Sequence, residues 1–395
     1  MQRSPPPALL SDSGKVNLPL EGLLVADFSR AVAGPFCTML MGDLGARIIK
    51  VEGPGSGDET RRWGPPFLGD WSAYFLSVNR NKESVALDLK SAEGCAAAHA
   101  LARKADVVIE NFRPGAMKRL GLSYAELVQL NPRVVYCSIS GYGQDVERGG
   151  YDIIVQAETG SMYLNGTEET GPAKTAFPVA DVLTALFAGN AILAALYARE
   201  RDGLGRYVEV SLIDSMLCAM TNLATGCLST GEEPPRVGAA QPSIVPYQVF
   251  RCSDGHLTVG APNNHLFRQF CLALDHEEWA DDLRFTDNPA RNVNRAALVA
   301  LVEGVMTTGT VAHWRERFEQ REVPCGPVNT MTQMFAEPII NARKMVLEVP
   351  LGDGQTMKTP ANPMRFAGHT LKANRPPRLG EHTAAVIKEL SDLGQ

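Results

Sequence analysis

The chain has no Lys- or Arg-rich run, and its formal net charge is −6. A protein that grips nucleic acid through its phosphates needs the opposite balance, so nucleic acid is not an expected partner. The eight cysteines, at positions 37, 95, 137, 218, 227, 252, 271 and 325, include no CxxC pair, and the seven histidines include no HExxH. Neither a zinc site nor a disulfide framework is therefore expected. Long hydrophobic runs are also missing: Ala185–Tyr197 is about thirteen residues with Asn190 inside it, short of the ~18–20 that span a bilayer. Met1–Pro19 holds three consecutive prolines and no hydrophobic segment long enough for export, and reads as a disordered leader rather than a signal peptide. These absences set the expectation of a metal-free cytoplasmic protein with no membrane partner.

What is present is an ordinary globular composition, 395 residues with 45% hydrophobic and 21% charged, enough for about two domains. From residue 20 onward, strand-like and helix-like segments alternate. Leu23–Ser29, Arg47–Glu52, Ser84–Leu89, Asp106–Asn111 and Val134–Ser140 read as buried strands. Between them, Pro35–Leu44, Ala92–Arg103 (with Ser91 as N-cap) and Tyr124–Leu130 read as helices. Runs of this kind imply an α/β fold with a Rossmann-like, doubly wound parallel sheet covered on both faces. Asp181–Arg199 is the longest helical segment, followed by a strand at Tyr207–Leu212 and a helix at Ile213–Leu228.

The composition then changes. Residues 230–242 are rich in Gly, Pro and charge and read as a linker. The pattern Tyr247–Cys252, Ser253–Gly255, His256–Gly260 predicts a hairpin with an Asp-Gly turn. With helices at His265–Leu274, Arg295–Met306 and Val311–Glu319 it makes a smaller α+β domain over 243–335. The large domain is then 20–229. Residues 336–395 form a C-terminal segment with a hairpin around Leu351–Gly354 and a last helix at Glu381–Leu390.

The usual chemical signatures fail in turn. The turn after the first strand, Ser29–Pro35, lacks GxGxxG, so a permanently bound dinucleotide is not expected. Gly53–Asp58 is glycine-rich but no Gly-Lys-Ser/Thr follows, which leaves a flexible turn. GxSxG is absent. What remains are polar residues at strand ends, where open α/β sheets gather ligands: Arg30 after the first strand, Asn111 and Phe112, and Ser140–Tyr142. Asp181 stands alone at the mouth of the long apolar helix, with no other charge until Arg199. An acid there either caps the helix or does chemistry, and the residues by themselves leave both open.

A set of motifs resembles the class III CoA-transferase family, which includes formyl-CoA transferase and the carnitine CoA-transferases. They are Asp27–Pro35, Gly42–Glu52, Gly55–Asp58, Asn79–Lys82, Val108–Gly115 and Asn131–Tyr136. The resemblance runs from about Leu20 nearly to the end. Within the family, Gln241–Gln248 and Val323–Asn329 look most like the branch containing succinyl-CoA:glutarate CoA-transferase.

The resemblance implies that Asp181 is the catalytic carboxylate. It also implies that Val32, Ala33, Leu87, Asp88, Leu89, Lys90, Asn111, Phe112, Arg119, Ile139, Ser140, Gly141 and Tyr142 line coenzyme A. Acyl-CoA and small carboxylic acids become the expected substrates, with no permanently bound cofactor, and an interlocked homodimer the expected assembly. The formyl-CoA enzyme has glutamine where Val32 stands, an arginine at Gly53 and a lysine at Ser140, and its mobile glycine run is reduced here to Gly260–Asn264. Formyl-CoA is thereby disfavoured as substrate. Gly260, Asn263 and Asn264 are candidate lid residues, with Gly as hinge and Asn as oxyanion donors. A second carboxylate on the substrate would want a guanidinium, from Arg30, Arg61 or Arg62.

Two alternatives accompany this reading. An acyl-CoA racemase of the same fold pairs its aspartate with a histidine, and that position is Tyr151 here, a poor base at neutral pH. A non-catalytic acyl-CoA binder would not need Asp181.

Overall fold

The computed structural model describes residues 17–392, so the expected leader falls outside the described residues up to position 16. Six strands form one fully parallel sheet: β1 (Leu24–Asp27), β2 (Arg47–Glu52), β3 (Lys82–Ala86), β4 (Val107–Glu110), β5 (Val135–Ser140) and β6 (Tyr207–Ser211). Their order is β3-β2-β1-β4-β5-β6, with the reversal between β1 and β4. Four helices matter to the site: α1 (Ala33–Asp43), α2 (Ala92–Lys104), α3 (Asp152–Glu158) and α4 (Val179–Asp202).

The central strands carry consecutive apolar residues because alternate residues enter different cores. Val25, Ile48, Val107, Val135 and Cys137 pack with Cys37 and Met41 of α1 and Ala185, Ala188 and Ile192 of α4. Their neighbours Ala26, Ile49, Val108 and Tyr136 face the other way, onto Ala98, Leu101 and Ala102 of α2 and Val386 of the last helix. Ser91 caps α2, its hydroxyl accepting from Gly94 N at 3.0 Å.

The chain divides into two compact units. The first holds, among the described residues, everything up to Thr159, then Ala176–Thr221, and everything from Asn341 on. The second holds Gly160–Thr175 and Asn222–Ile340. Its three-stranded antiparallel sheet contains the hairpin of Tyr247–Arg251 and His256–Gly260, closed at Cys252 and Gly255. A cluster of Phe250, Phe267, Phe270 and Phe318 fills its core.

Two expectations change. The helix expected at Ile213–Leu228 is two helices, Leu212–Ala219 and Thr221–Thr230. The break falls at Thr221, whose φ of 37° no continuous helix accepts. The helix at Asp181 is also longer than its apolar run: α4 has 24 residues and by length and composition alone is long enough to cross a bilayer. The run stops where polar residues interrupt it, whereas the helix continues through them to Gly203, which closes it in the left-handed conformation. One face of α4 (Ala180, Thr184, Ala188, Ile192, Ala195, Arg199) is buried, while Leu186, Leu193 and Tyr197 are exposed.

Gly205 leads into β6 at a position without room for a side chain. A Cβ there would lie 1.9 Å from the carbonyl oxygen of Val134. Gly205→Ala is expected to lose about 3 kcal/mol, the upper end of ordinary overpacking, because the obstacle is backbone. Urea unfolding checks it, and a midpoint equal to that of the parent protein would contradict it.

Candidate active site

The site is built on the carboxyl ends of the parallel strands. At the β1/β4 reversal, Arg30 N–H donates to Asn111 Oδ1 at 2.9 Å and Asn111 Nδ2 donates to Arg30 O at 2.8 Å. The Arg30 guanidinium lies 5.1 Å from the centroid of the Phe112 ring. The structure thus joins three of the residues singled out from sequence. Beneath them, Glu110 accepts Phe112 N–H at 2.9 Å and pairs with Ser138, which receives Gln144 Nε2 at 2.6 Å. Burial pushes the Glu110 carboxyl up to about 7. This bridge between the loops after β4 and β5 was invisible to sequence reasoning, because Glu110 reads as part of a strand.

The other expected coenzyme residues follow the same edge. Leu87–Lys90 leave β3, with Leu87 packed in the core and Lys90 N–H donating to Asp88 Oδ1 at 3.0 Å. Ile139 is also a core side chain, so only its backbone is available to a ligand. Ser140 Oγ accepts Gly143 N–H at 2.8 Å, and Tyr142 OH donates to Glu158 at 2.7 Å. Gly141 passes so close to Gly150 that an added Cβ would meet its Cα at 2.6 Å. Arg119 ends the short helix Ala116–Arg119 and is exposed.

The loop from Ser29 to Pro35 is held at both ends by buried ammonium groups. Lys50 Nζ donates to Ser29 O at 2.8 Å and pairs with Asp58 at 2.8 Å. Lys82 Nζ donates to Pro35 O at 2.9 Å and pairs with Asp27 at 3.1 Å. Burial pulls the Lys82 ammonium down to about 8 against the opposing attraction of Asp27. Between these anchors Ala31 adopts φ 62°, and Val32 and Ala33 start α1, both buried. The Gly53–Asp58 turn is therefore an anchor: Asp58 caps the 3-10 helix Glu59–Arg62 and receives Lys50.

Val32 also lines a cavity of about 580 Å³ together with Phe36, Met39 and Leu40 of α1, Tyr74, Ser77, Phe177, Pro178 and, from α4, Val182. Pro178 and Val182, one turn apart, face the cavity, and Asp181 between them in the chain is not one of its lining residues. The cavity is mainly apolar, and Arg80 at its wall is engaged by both oxygens of Asp43, at 2.8 and 2.6 Å.

Asp181 is the third residue of α4. It does not cap the helix. Pro178 is the N-cap and supplies no side-chain acceptor. The Ala180 N–H donates instead to Asp152 Oδ1 of α3 at 2.8 Å. Among the described residues no hydrogen bond reaches the Asp181 carboxylate. Burial first, and the neighbouring Asp152 second, raise the Asp181 carboxyl from the usual value to about 7. Tyr151, in the racemase histidine position, is exposed.

Of the three arginines left open for a distal carboxylate, Arg61 is engaged by both oxygens of Glu52, at 2.8 and 2.7 Å. Arg30 and Arg62 have no carboxylate partner among the described residues. Gly260, Asn263 and Asn264 belong to the second unit. Gly260 N–H is bonded to Pro324 O, Asn263 caps the helix Asn264–Ala273, and Asn264 Oδ1 accepts from Arg291. Among the described residues no group of three or more metal-ligating side chains occurs.

A family described as CoA-transferase family III matches residues 20–383. The succinyl-CoA:glutarate CoA-transferase of Homo sapiens is 39% identical over 376 residues, 94% of this chain and 86% of the relative. The acetyl-CoA:oxalate CoA-transferase of Acetobacter aceti is 39% identical over 379 residues, 94% of this chain and 96% of the relative. Among solved structures, a CAIB/BAIF family protein from Brucella suis superposes with a TM-score of 0.84 at 39% identity, covering 95% of this chain and all of that one.

Proposed function

The chain belongs to CoA-transferase family III, and from that premise we propose that it moves CoA from succinyl-CoA to a short dicarboxylate through covalent intermediates on Asp181. The acid pair is suggested by the relatives that act on succinyl-CoA and glutarate. The observation that carries the mechanism is the Asp181 carboxylate itself: at a helix start, yet free of capping, because Asp152 takes the Ala180 N–H.

The Asp181 carboxylate attacks the thioester carbonyl carbon of the donor, and the C–S bond breaks to release CoA thiolate and leave a mixed anhydride. The thiolate attacks the Asp181 carbonyl of that anhydride, which expels the donor acid and forms an enzyme–CoA thioester. The acceptor carboxylate attacks this thioester, giving a new anhydride and thiolate. Thiolate attack on the acceptor's acyl carbon then yields the new acyl-CoA and restores Asp181. Each step exchanges one activated acyl bond for another, so the thioester's free energy is kept provided water stays out. The apolar walls at Val32, Phe36 and Val182 suit that exclusion.

Coenzyme A is read against Val32, Ala33, Leu87–Lys90, Asn111, Phe112, Arg119 and the backbone of Ile139–Tyr142. Arg30 or Arg62 would meet a second carboxylate. The exposed apolar face of α4, with Leu186, Leu193 and Tyr197, supports an interlocked homodimer as the working assembly. Eight free cysteines suit a reducing, cytoplasmic compartment.

A substrate panel tests the reading. Succinyl-CoA or acetyl-CoA is offered to mono- and dicarboxylic acids, and products are followed by mass spectrometry. New acyl-CoA is expected with four- to six-carbon diacids. Exchange of the α-proton of a 2-methylacyl-CoA without any transfer would assign the protein to racemase chemistry instead.

A further inference from the structure

The start of an α-helix leaves N–H groups without partners, and their partial positive charge attracts an acidic side chain in the first turn. At α4 that arrangement is displaced. Val179 N–H bonds to Phe177 O at 2.8 Å and Val182 N–H to Pro178 O at 3.0 Å. Two N–H groups of the first turn are then left, that of Asp181 itself and that of Ala180, and the Ala180 N–H is taken by Asp152 Oδ1 at 2.8 Å, from a helix 28 residues earlier in the chain. The other Asp152 oxygen is fixed by Gln156 Nε2 at 2.7 Å, one turn further along α3. Asp152 is thus immobilised on both oxygens beside a carboxylate that accepts no hydrogen bond among the described residues.

We propose that Asp152 is a positioning residue for the transfer reaction, which by capping α4 from outside keeps the Asp181 carboxylate off the helix's own N–H groups and available to attack. The proposal rests on the reading of Asp181 as nucleophile. A carboxylate that accepts hydrogen bonds is stabilised as an anion and is correspondingly weaker in attack. Freed from capping, Asp181 keeps its reactivity. The same arrangement places two carboxyl groups side by side, and like charge disfavours ionisation of the second. Asp181 accordingly stands at about 7, through burial first and Asp152 second. The other elements packed on α4 bring Cys37 and Asp43 (α1), Tyr136 and Cys137 (β5), Tyr207 and Glu209 (β6) and Asp214 and Cys218 (Leu212–Ala219), and α3 also brings Glu158. None of these acts on the Asp181 carboxyl; Asp152 does.

The test compares Asp152→Asn and Asp152→Ala by single-turnover acylation with succinyl-CoA across pH, each rate normalised to titrated active sites. Wild type should gain activity as pH rises through about 7. Asp152→Asn keeps an oxygen for Ala180 N–H but removes the charge, so its acid limb should move about one unit lower with a plateau within ~10-fold of wild type. Asp152→Ala leaves the N–H to Asp181, and its plateau should fall about 100-fold with KM for succinyl-CoA changed less than ~3-fold. A merely structural Asp152 would lower the titrated fraction of active protein and leave the limb unmoved. An acid limb in Asp152→Asn that coincides with wild type overturns the proposal, even if the alanine variant does not fold. If wild-type Asp181 is never acylated, the functional reading fails instead, and the two failures are told apart by the wild-type label.

Discussion

Asp181→Asn lowers kcat for CoA transfer by on the order of 10⁴-fold or more, the scale on which loss of a covalent nucleophile is felt, while acyl-CoA binding changes little. The amide matches the carboxylate in shape, leaves the Asp152–Ala180 cap untouched, and cannot form the anhydride. Titration calorimetry with succinyl-CoA and a transfer assay on the same preparation separate the two effects. Retained turnover would refute the mechanism.

The same substitution should stabilise the fold in a pH-dependent way. The Asp181 carboxyl is raised in the folded state to about 7 from 3.8. The folded protein therefore holds a proton there that the unfolded chain releases between those values. Stability from this proton is fully present below about pH 4 and is lost as pH rises through 7. Asn carries no such charge, so Asp181→Asn should raise the melting temperature at pH 8 and leave it nearly unchanged at pH 4. A nucleophile stored at a cost to stability is the usual trade at an active site. Equal shifts at both pH values would show that the buried charge is not the cause.

Asp43→Ala is expected to be the most destabilising single change in the first unit. Asp43 ends α1 and is almost fully buried. Both of its oxygens bind Arg80, and Asn81 and Asn362 donate to it at 2.7 and 3.0 Å. Its backbone carbonyl accepts Lys372 N–H at 3.1 Å. Removing the carboxylate strands the Arg80 guanidinium in the interior, a loss of about 3–5 kcal/mol for a broken buried pair. It also removes the Asn362 bond that ties down the returning C-terminal segment, leaving the Lys372 N–H on the backbone carbonyl, so proteolysis near 361–366 should speed up. Asp43→Asn, which keeps the acceptor oxygen, should lose less. Equal stability of Asp43→Ala and the parent in urea would contradict this account.

The sheet could be read from sequence because it is buried on both faces. Val25-Ala26, Ile48-Ile49 and Val107-Val108 each send neighbours into different cores, and such runs leave no polar gap to mislead. The break at Thr221 could not be read, since the apolar spacing continues across it and only the backbone angle records it. Asp181 drew attention as a lone acid before an apolar stretch, but its neighbourhood did not. α3 has seven residues, too few for a periodic signal, and Asp152 reaches Ala180 across 28 positions. The pairing of Glu110 with Ser138 links two strands, and the Pro360–Pro363 wall of the cavity arrives from the far end of the chain. Sequence spacing reports local periodicity, and each of these contacts is made by folding.

The most direct test of the central claim is to find the covalent bond. The enzyme is mixed with succinyl-CoA, quenched with hydroxylamine, digested and mapped by mass spectrometry. An activated Asp181 carbonyl would be captured as the hydroxamate on the peptide spanning Pro178–Thr184, and Asp181→Asn would show none. Transfer that proceeds in the assay while Asp181 stays unmodified, or a label on another residue, would contradict the account.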